Sequence, residues 1–431
     1  MQINVRPPSR AEMSNYYKAL PSGNGLPSWE AAPAAWHGGS EPWPQPRQPA
    51  TAEQLEAWAD SSEKNQNFHP VAAFADGRLV GASAMLSFEV TVPGSLQLPM
   101  AGVTGTGVLA THRRRGLLRK MMQTMFDAAI ERGEPISMLS ASEGSIYGRF
   151  GFSPATYRTR WEIERSQAEL FPVEDTIGSL ELIGASEARA IWPVLHERVR
   201  HSRVGELSAQ PGRWNGLSDT ASGTDSPLRY LVHRDSTGTV DGIANFKLPW
   251  SRTVDDVGTL VVEALEATNP SAYRALWHIL LDFDLTRKVV AHSRPRDEPL
   301  RQMLRNPRAM RITRQSDNLW MRILDVPAAL AARTYSTPDT IAFSVQTDEM
   351  VPNNVGTWRL EADVTGASCV RTNDAPDLTL DIQALGALYL GGMSAQLLAA
   401  AGRIRSDQTS SIEKLSRMFR TDPEPHNSFG F

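Results

Sequence analysis

The chain has 431 residues, 41% of them hydrophobic and 21% charged, an ordinary globular composition long enough for two to four domains of roughly 100–200 residues. Its 44 Lys and Arg against 48 Asp and Glu leave a net charge of -4, the wrong balance for a protein built on nucleic-acid backbone contacts but compatible with a cationic small substrate. The lone Cys369 excludes an intramolecular disulfide and fits a reducing cytoplasm, no apolar run approaches the ~18 residues of a membrane span, and the opening MQINVRPPSR lacks the apolar core of a signal peptide.

In chain order, the first unusual segment is LPSGNGLPSWEAAPAAWHGGSEPWPQPRQPA, residues 20–50. Its prolines and glycines exclude a regular helix or strand. It reads as a surface arm, or as a lid lending Trp29, Trp36 or Trp43 to a cleft.

GVTGTGVLA, residues 102–110, then reads as a glycine-rich strand, and Ile136 to Ser140 as a buried one. Between them lies THRRRGLLRKMMQTMFDAAIERG. Leu117, Leu118, Met121, Met122, Met125, Phe126, Ala129 and Ile130 recur at helical spacing, and Gly133 is a stop signal. Strand, basic turn, helix and strand make a βαβ unit with parallel strands. The turn Arg113-Arg114-Arg115-Gly116 stands where a helix begins. A helix N-terminus repels cations and attracts an anion, so three arginines there call for a compensating negative group such as a pyrophosphate. A solvated loop gives the same pattern, and a nucleic-acid patch is disfavoured by the acidic whole.

Residues 159–312 read as an internal repeat. RYLVHRDSTGTVDGIANFKL is a hairpin, and GTLVVEALEATNPSAYRALWHILLDFDLTRKVVAHS repeats the order strand, loop, helix, strand. Here TNPSAY replaces RRRG, with no basic residue and no glycine at the helix start. From residue 313 the pattern changes to strands (IAFSVQ, GTWRLEADV, ASCVRT, LTLDI) and then helices, Ile382 to about Arg405 and Ser411 to about Arg420, the order of an α+β unit. Cys369, in a strand-like stretch, reads as a small buried residue.

THRRRGLLRKMM resembles the R-x-x-G-x-G/A pyrophosphate loop of GNAT N-acetyltransferases, with Leu118 in place of the last small residue. SASEGSIYGRFGFSPAT, Ser140 to Thr156, resembles the closing segment of that fold. With LGALYLGGMSAQLLAAAGRIR and the final NSFGF, these stretches resemble the Eis (enhanced intracellular survival) branch, from about Ala72 to the terminus. The resemblance implies an α+β protein of two tandem GNAT folds, the second without cofactor, followed by a sterol-carrier-like α+β domain. The expected domains are 1–158, 159–312 and 313–431.

The resemblance further implies acetyl-CoA as cosubstrate, no metal, and polyamine substrates including aminoglycosides, hence antibiotic resistance. It implies a cytoplasmic homohexamer with no nucleic-acid partner. By motif match, Thr106, Gly107 and Val108 would hold the cofactor arm through their backbone. Arg113, Arg114, Arg115, Gly116, Leu117, Leu118 and Arg119 would hold its pyrophosphate, and Ser142 and Glu143 would touch it. An attacking amine must lose a proton and a leaving thiolate must gain one. Tyrosine, with its ordinary value near ~10, carries a proton to give at neutral pH. Tyr147 matches the tyrosine that Eis enzymes use as general acid, and the carboxylate of Phe431 matches the terminal group they use as general base. The other expectation is a non-catalytic acetyl-CoA-binding regulatory protein on the same scaffold.

Overall fold

The structure, a computed structural model, describes residues 2–19, 51–172, 178–220, 226–249 and 258–431. The segment 20–50, with its three tryptophans, therefore lies outside the described residues apart from its neighbours at either end. The chain forms two compact units: Met1–Ala155 with Leu319–Arg420 and Gly430–Phe431, and Thr156–Asn318 with Thr421–Phe429.

The first unit opens with β1 (Ile3–Arg6), α1 (Met13–Ala19), α2 (Ala52–Lys64), β2 (Phe68–Ala75), β3 (Arg78–Val92) and β4 (Leu96–Val108). Then come α3 (Leu117–Glu131), β5 (Ile136–Ser140), α4 (Gly144–Tyr147) and β6 (Ser153–Pro154). The second unit holds β7 (Tyr157–Glu164), β8 (Ser179–Ile183), α5 (Ala185–Arg200), β9 (Arg229–Arg234), β10 (Val240–Lys247), β11 (Thr259–Ala267), α6 (Pro270–Asp282), β12 (Lys288–Arg294), α7 (Leu300–Met303) and β13 (Met310–Asp317). Its sheet order is β13-β7-β12-β11-β10-β9-β8, with β11 and β12 parallel.

The chain then returns to the first unit as β14 (Leu319–Ile323), which slots between β5 and β6, so the first sheet reads β1-β2-β3-β4-β5-β14-β6. The changeovers fall at 155/156 and 318/319, against 158/159 and 312/313 expected. The reason is pairing: β13 runs on to Asp317 along β7, and LWMRI, placed with the third domain from sequence, completes the first sheet.

After α8 (Val326–Ala331) come β15 (Asp339–Val345), β16 (Gly356–Ala362), β17 (Ala367–Arg371), β18 (Leu378–Leu380), α9 (Ile382–Tyr389), α10 (Ala395–Ala400), β19 (Ile404–Arg405) and α11 (Thr409–Phe419). These strands form a sheet ordered β17-β16-β15-β18-β19. The single helix expected from Ile382 to Arg405 is broken in two. Gly391 turns with φ of 86°, and Ser394 starts α10 by accepting the Leu397 N–H through its side chain. Cys369 is buried on β17, as its composition context suggests.

On α3 the buried face is Leu117, Met121, Met122, Met125, Phe126 and Ala129, packed on Val71, Ala73, Met85, Ala101 and Val103 of the sheet. Leu118 is half-buried and Ile130 is exposed, so the apolar stripe is narrower than the sequence pattern.

One buried ion pair ties β14 to the loop after β15. Arg322 Nη2 donates to both Asp348 oxygens at 2.7 and 2.9 Å, with each side chain 1% exposed. Asp348 also accepts the Met350 and Val351 N–H groups and the Asn354 amide. Removing one buried partner strands the other charge. Asp348→Ala is therefore expected to cost about 3–5 kcal/mol in denaturant unfolding. A change within experimental error would show that Arg322 needs no counter-charge.

Candidate active site

In the first sheet β4 and β5 run parallel but pair only through Met100–Ile136, Ala101–Ser137 and Gly102–Met138. Beyond Gly102 β4 continues to Val108 along β3, while β5 ends at Ser140. The β3 register slips between Ala82 and Ala84, where Gly105 turns with φ of 59°. This bulge bends β4. The result is a wedge with one strand edge, Val103 to Val108, lacking a β5 partner among the described residues. Thr106, Gly107 and Val108 are half-buried on that edge. An unpaired edge has backbone groups free to bind an extended chain such as an amide-bearing arm.

The basic turn sits at the mouth of the wedge. A 3-10 turn over Ala110–His112 follows β4, and Arg113 Nε donates to the Val108 carbonyl at 3.1 Å. Arg114 has φ of 61°, a left-handed conformation uncommon for a side-chain residue, so the loop holds some strain. Gly116 caps α3 at φ of 75° with no side-chain cap. A Cβ there would meet nothing within 4 Å. Glycine is thus required for the turn, and space remains for a ligand to approach the backbone. The first N–H groups of α3, from Leu117, Leu118 and Arg119, have no intrahelical acceptor by geometry. Arg119 forms an exposed ion pair with Glu349 at 3.0 Å, a contact of little energetic weight.

These features suit a pyrophosphate: an uncapped helix N-terminus, open space and exposed Arg114 and Arg115 beside it. Replacing Arg114 and Arg115 together by Ala is expected to raise the acetyl-CoA KM about ten- to a hundredfold, with little change in unfolding. Unchanged cofactor affinity by titration calorimetry would make the run a solvated loop.

In the second sheet the corresponding helix start is closed. The Asn269 side chain caps α6 by accepting the Ala272 N–H at 2.9 Å, and Pro270 occupies the first turn. No basic residue stands in that turn.

Tyr147 ends the short α4 and is 7% exposed, against Phe152 and the α3 core. Burial raises its pKa above the ordinary 10.0. Hydrogen bonds from the Ser142 and Thr106 side chains pull the other way, and the Glu143 charge adds to the rise. The hydroxyl thus reaches across the wedge, from Ser142 just past β5 to Thr106 on β4. Thr106 Oγ1 in turn lies 2.7 Å from Ser83 Oγ on β3. Ser142 and Glu143 are exposed, and Glu143 accepts the Ser145 hydroxyl at 2.7 Å.

Phe431 lies at the point where the strands part. Its ring centroid is 4.8 Å from that of Phe88 on β3. A Cβ on Gly102 would come within 2.7 Å of both rings, so only glycine leaves room for the pair. Gly430 sits against the Ser140 side chain at the end of β5. Gly102→Val is expected to displace the Phe431 ring. Loss of the Phe88–Phe431 contact in a crystal structure or by ring NMR shifts checks it, and an undisturbed pair would mean β4 shifts instead.

The structure brings Thr106, Ser142, Tyr147 and Phe431 to one wedge, with Gly107 and Val108 on its edge and Arg113 to Arg119 at its mouth. Sequence reading missed Ser83, Phe88, Gly102 and Trp320. Trp320, on β14, lies 3.5 Å from where a Gly144 side chain would project. None carries a local motif. Gly102 was visible only as one of several glycines in GVTGTG, and the others depend on strand pairing across the chain.

Residues 40–155 match the family of acetyltransferase (GNAT) domains, 205–323 a second acetyltransferase (GNAT) domain and 326–428 a sterol carrier protein domain. An uncharacterized N-acetyltransferase of Streptomyces coelicolor is 39% identical over 82% of this chain and 86% of its own. The N-acetyltransferase Eis of Mycobacterium tuberculosis is 33% identical over 82% of this chain and 86% of its own. The chain belongs to the Eis family of GNAT N-acetyltransferases. Its fold is that of the family. The crystal structure of Eis1 from Mycobacterium abscessus superposes with a TM-score of 0.82 at 29% identity, covering 100% of both chains. Like other GNAT proteins of the Eis family it is an acetyltransferase enzyme, a class that uses acetyl-CoA. Among the described residues no helix is long and apolar enough to cross a membrane.

Proposed function

We propose that this acetyltransferase transfers the acetyl group of acetyl-CoA to amines of polycationic small molecules such as aminoglycosides. Bound in the β4–β5 wedge, acetyl-CoA supplies an acetyl group activated as a thioester. The edge of Thr106, Gly107 and Val108 would pair with its amide-bearing arm, and the turn Arg113 to Arg119 would hold its pyrophosphate, with Ser142 and Glu143 beside the arm. The Phe431 carboxylate would take a proton from the substrate ammonium, which then attacks as the free amine. The Tyr147 hydroxyl would give its proton to the departing sulfur and regain one from the second proton that the attacking nitrogen sheds as the amide forms. The observation that carries this reading is that Tyr147, through its hydrogen bonds with Thr106 and Ser142, and the chain end, through the Phe431 ring at Gly102 and Gly430 beside Ser140, both lie at the place where β4 and β5 part.

The raised Tyr147 pKa keeps that proton in place through the neutral range. Any alkaline fall in kcat due to Tyr147 is then expected above pH ~10. An alkaline fall centred well below pH ~10 and absent in Tyr147→Phe would contradict this assignment. The second GNAT copy, with its helix start capped by Asn269, is read as lacking cofactor. A binding stoichiometry of one acetyl-CoA per chain tests this, and two would overturn it. By family likeness the protein is read as a cytoplasmic homohexamer that uses no metal, the assembly testable by light scattering. Thiol release from acetyl-CoA with a panel of polyamines and aminoglycosides tests the activity as a whole.

A further inference from the structure

The second GNAT fold has a wedge of its own. β11 and β12 pair in parallel over Thr259–Lys288 to Val262–Ala291, then β11 runs on to Ala267 and β12 to Arg294. Side chains and residues 426–428 of the chain's final segment occupy this one. Arg294 on β12 donates to the Leu265 carbonyl on β11 at 2.9 Å and is held by Glu298 at 2.9 and 3.3 Å. The His426 ring, fully buried, lies in hydrogen-bonding reach of the backbone of Tyr157 and Ser293. The Ser428 hydroxyl points to Glu266 on β11 at 3.4 Å.

The segment is gripped from its other side as well. Glu206, 2% exposed, accepts the Asn427 side-chain amide and the Ser428 N–H, each at 2.9 Å. The His426 N–H donates to the Val204 carbonyl at 2.8 Å, and Asn318 donates to the Asn427 carbonyl at 3.1 Å. The Phe429 ring has two neighbours: the Arg213 guanidinium 3.8 Å from its centroid, and the His196 ring, tilted against it, at 5.4 Å. His196 is itself fixed by Glu266 at 3.1 Å and the Leu207 carbonyl at 2.8 Å. A chain end normally frays. Two buried carboxylates, a buried histidine and an arginine committed to one short polar segment are far more than a passive contact requires, since each buried charge has a desolvation cost.

We propose that the wedge of the second GNAT fold is a clamp for the chain's final segment, in which Glu206, with His196 and Glu266 behind it, acts as a positioning residue for acetyl transfer by holding Asn427 to Phe429 just ahead of Phe431. The proposal rests on the reading that the Phe431 carboxylate is the base. The clamp removes the conformational freedom of all but the last two residues, so the carboxylate does not have to be recruited from a disordered tail. The grip uses hydrogen bonds to backbone and to Asn427, and a ring slot for Phe429, which makes it selective for this segment rather than for any carboxylate.

The test uses the full chain in three variants. Glu206→Gln removes the charge that accepts the two tail donors, Phe429→Ala empties the ring slot, and deletion of Phe431 removes its ring and moves the carboxylate to Gly430. Hydrogen–deuterium exchange of the C-terminal peptide reads the clamp independently of activity. Faster exchange is expected in Glu206→Gln and Phe429→Ala, with kcat falling about 10²-fold while the acetyl-CoA KM holds within about twofold. Phe429→Ala keeps the test open should Glu206→Gln fail to fold. Wild-type exchange in the folded variants overturns the clamp whatever their activity. Faster exchange with unchanged kcat, alongside an inactive Phe431 deletion, overturns the positioning role alone. A fully active Phe431 deletion overturns the reading of the base, and with it the catalytic purpose of the clamp.

Discussion

Tyr147→Phe should lower kcat by about 10²–10⁴, the usual contribution of a positioned general acid, while acetyl-CoA binding stays nearly intact. The substitution keeps the ring that packs on Phe152 and the α3 core and deletes only the hydroxyl. Some of the loss will come from the surroundings: Ser142 and Thr106 lose a partner. The Thr106 contact to Ser83 survives, so Thr106 is not left wholly unpaired. Ser142 is exposed and can turn to water. A structural contribution should therefore show as a small change in unfolding, and the catalytic one as a large change in kcat alone. Steady-state kinetics with calorimetry of acetyl-CoA binding separate them. Full activity across the neutral range would mean that another group protonates the sulfur.

Deleting Phe431, or extending the chain past it with an affinity tag, should abolish acetyl transfer to a similar degree without unfolding the protein. An α-carboxylate in water is a weak base, with an ordinary pKa near ~3.3–3.7, so its use as a base depends on being held at the reacting amine. Its ring is seated on Phe88 over Gly102, at the point where β4 and β5 separate. A tag would turn the Phe431 carboxylate into a neutral peptide amide but leave the ring able to dock, whereas the deletion removes the ring and moves the carboxylate to Gly430. Comparing the two distinguishes loss of charge from loss of packing. Normal turnover by the tagged enzyme would take the carboxylate out of the reaction and leave a water relay or another side chain as base.

Much of the site is local in sequence and was legible there. The helix of Leu117 to Glu131, the strands on either side and the turn Arg113 to Gly116 are written in periodicity and in one required glycine. The repeat in the second unit was legible for the same reason: β9 and β10 form the expected hairpin, and β11, α6 and β12 repeat the order of β4, α3 and β5. What escaped depends on partners distant in the chain. LWMRI has the pattern of a strand but carries no sign that it pairs with β5 and β6. The helix expected through LGALYLGGMSAQLLAAAGRIR is apolar enough to be continuous, yet Gly391 and the Ser394 cap divide it. Glu206, Glu266 and His196 look like ordinary surface residues in sequence, because only the fold shows that the chain's final segment covers them.

The most direct test is amine-dependent thiol release from acetyl-CoA by the wild-type protein, followed by mass spectrometry of the amine. With tobramycin, kanamycin and linear polyamines as acceptors, at least one should release thiol well above hydrolysis and gain the mass of an acetyl group. Thiol release at the hydrolysis rate with every amine, despite measurable acetyl-CoA binding, would instead make the protein a non-catalytic acetyl-CoA-binding member of its family.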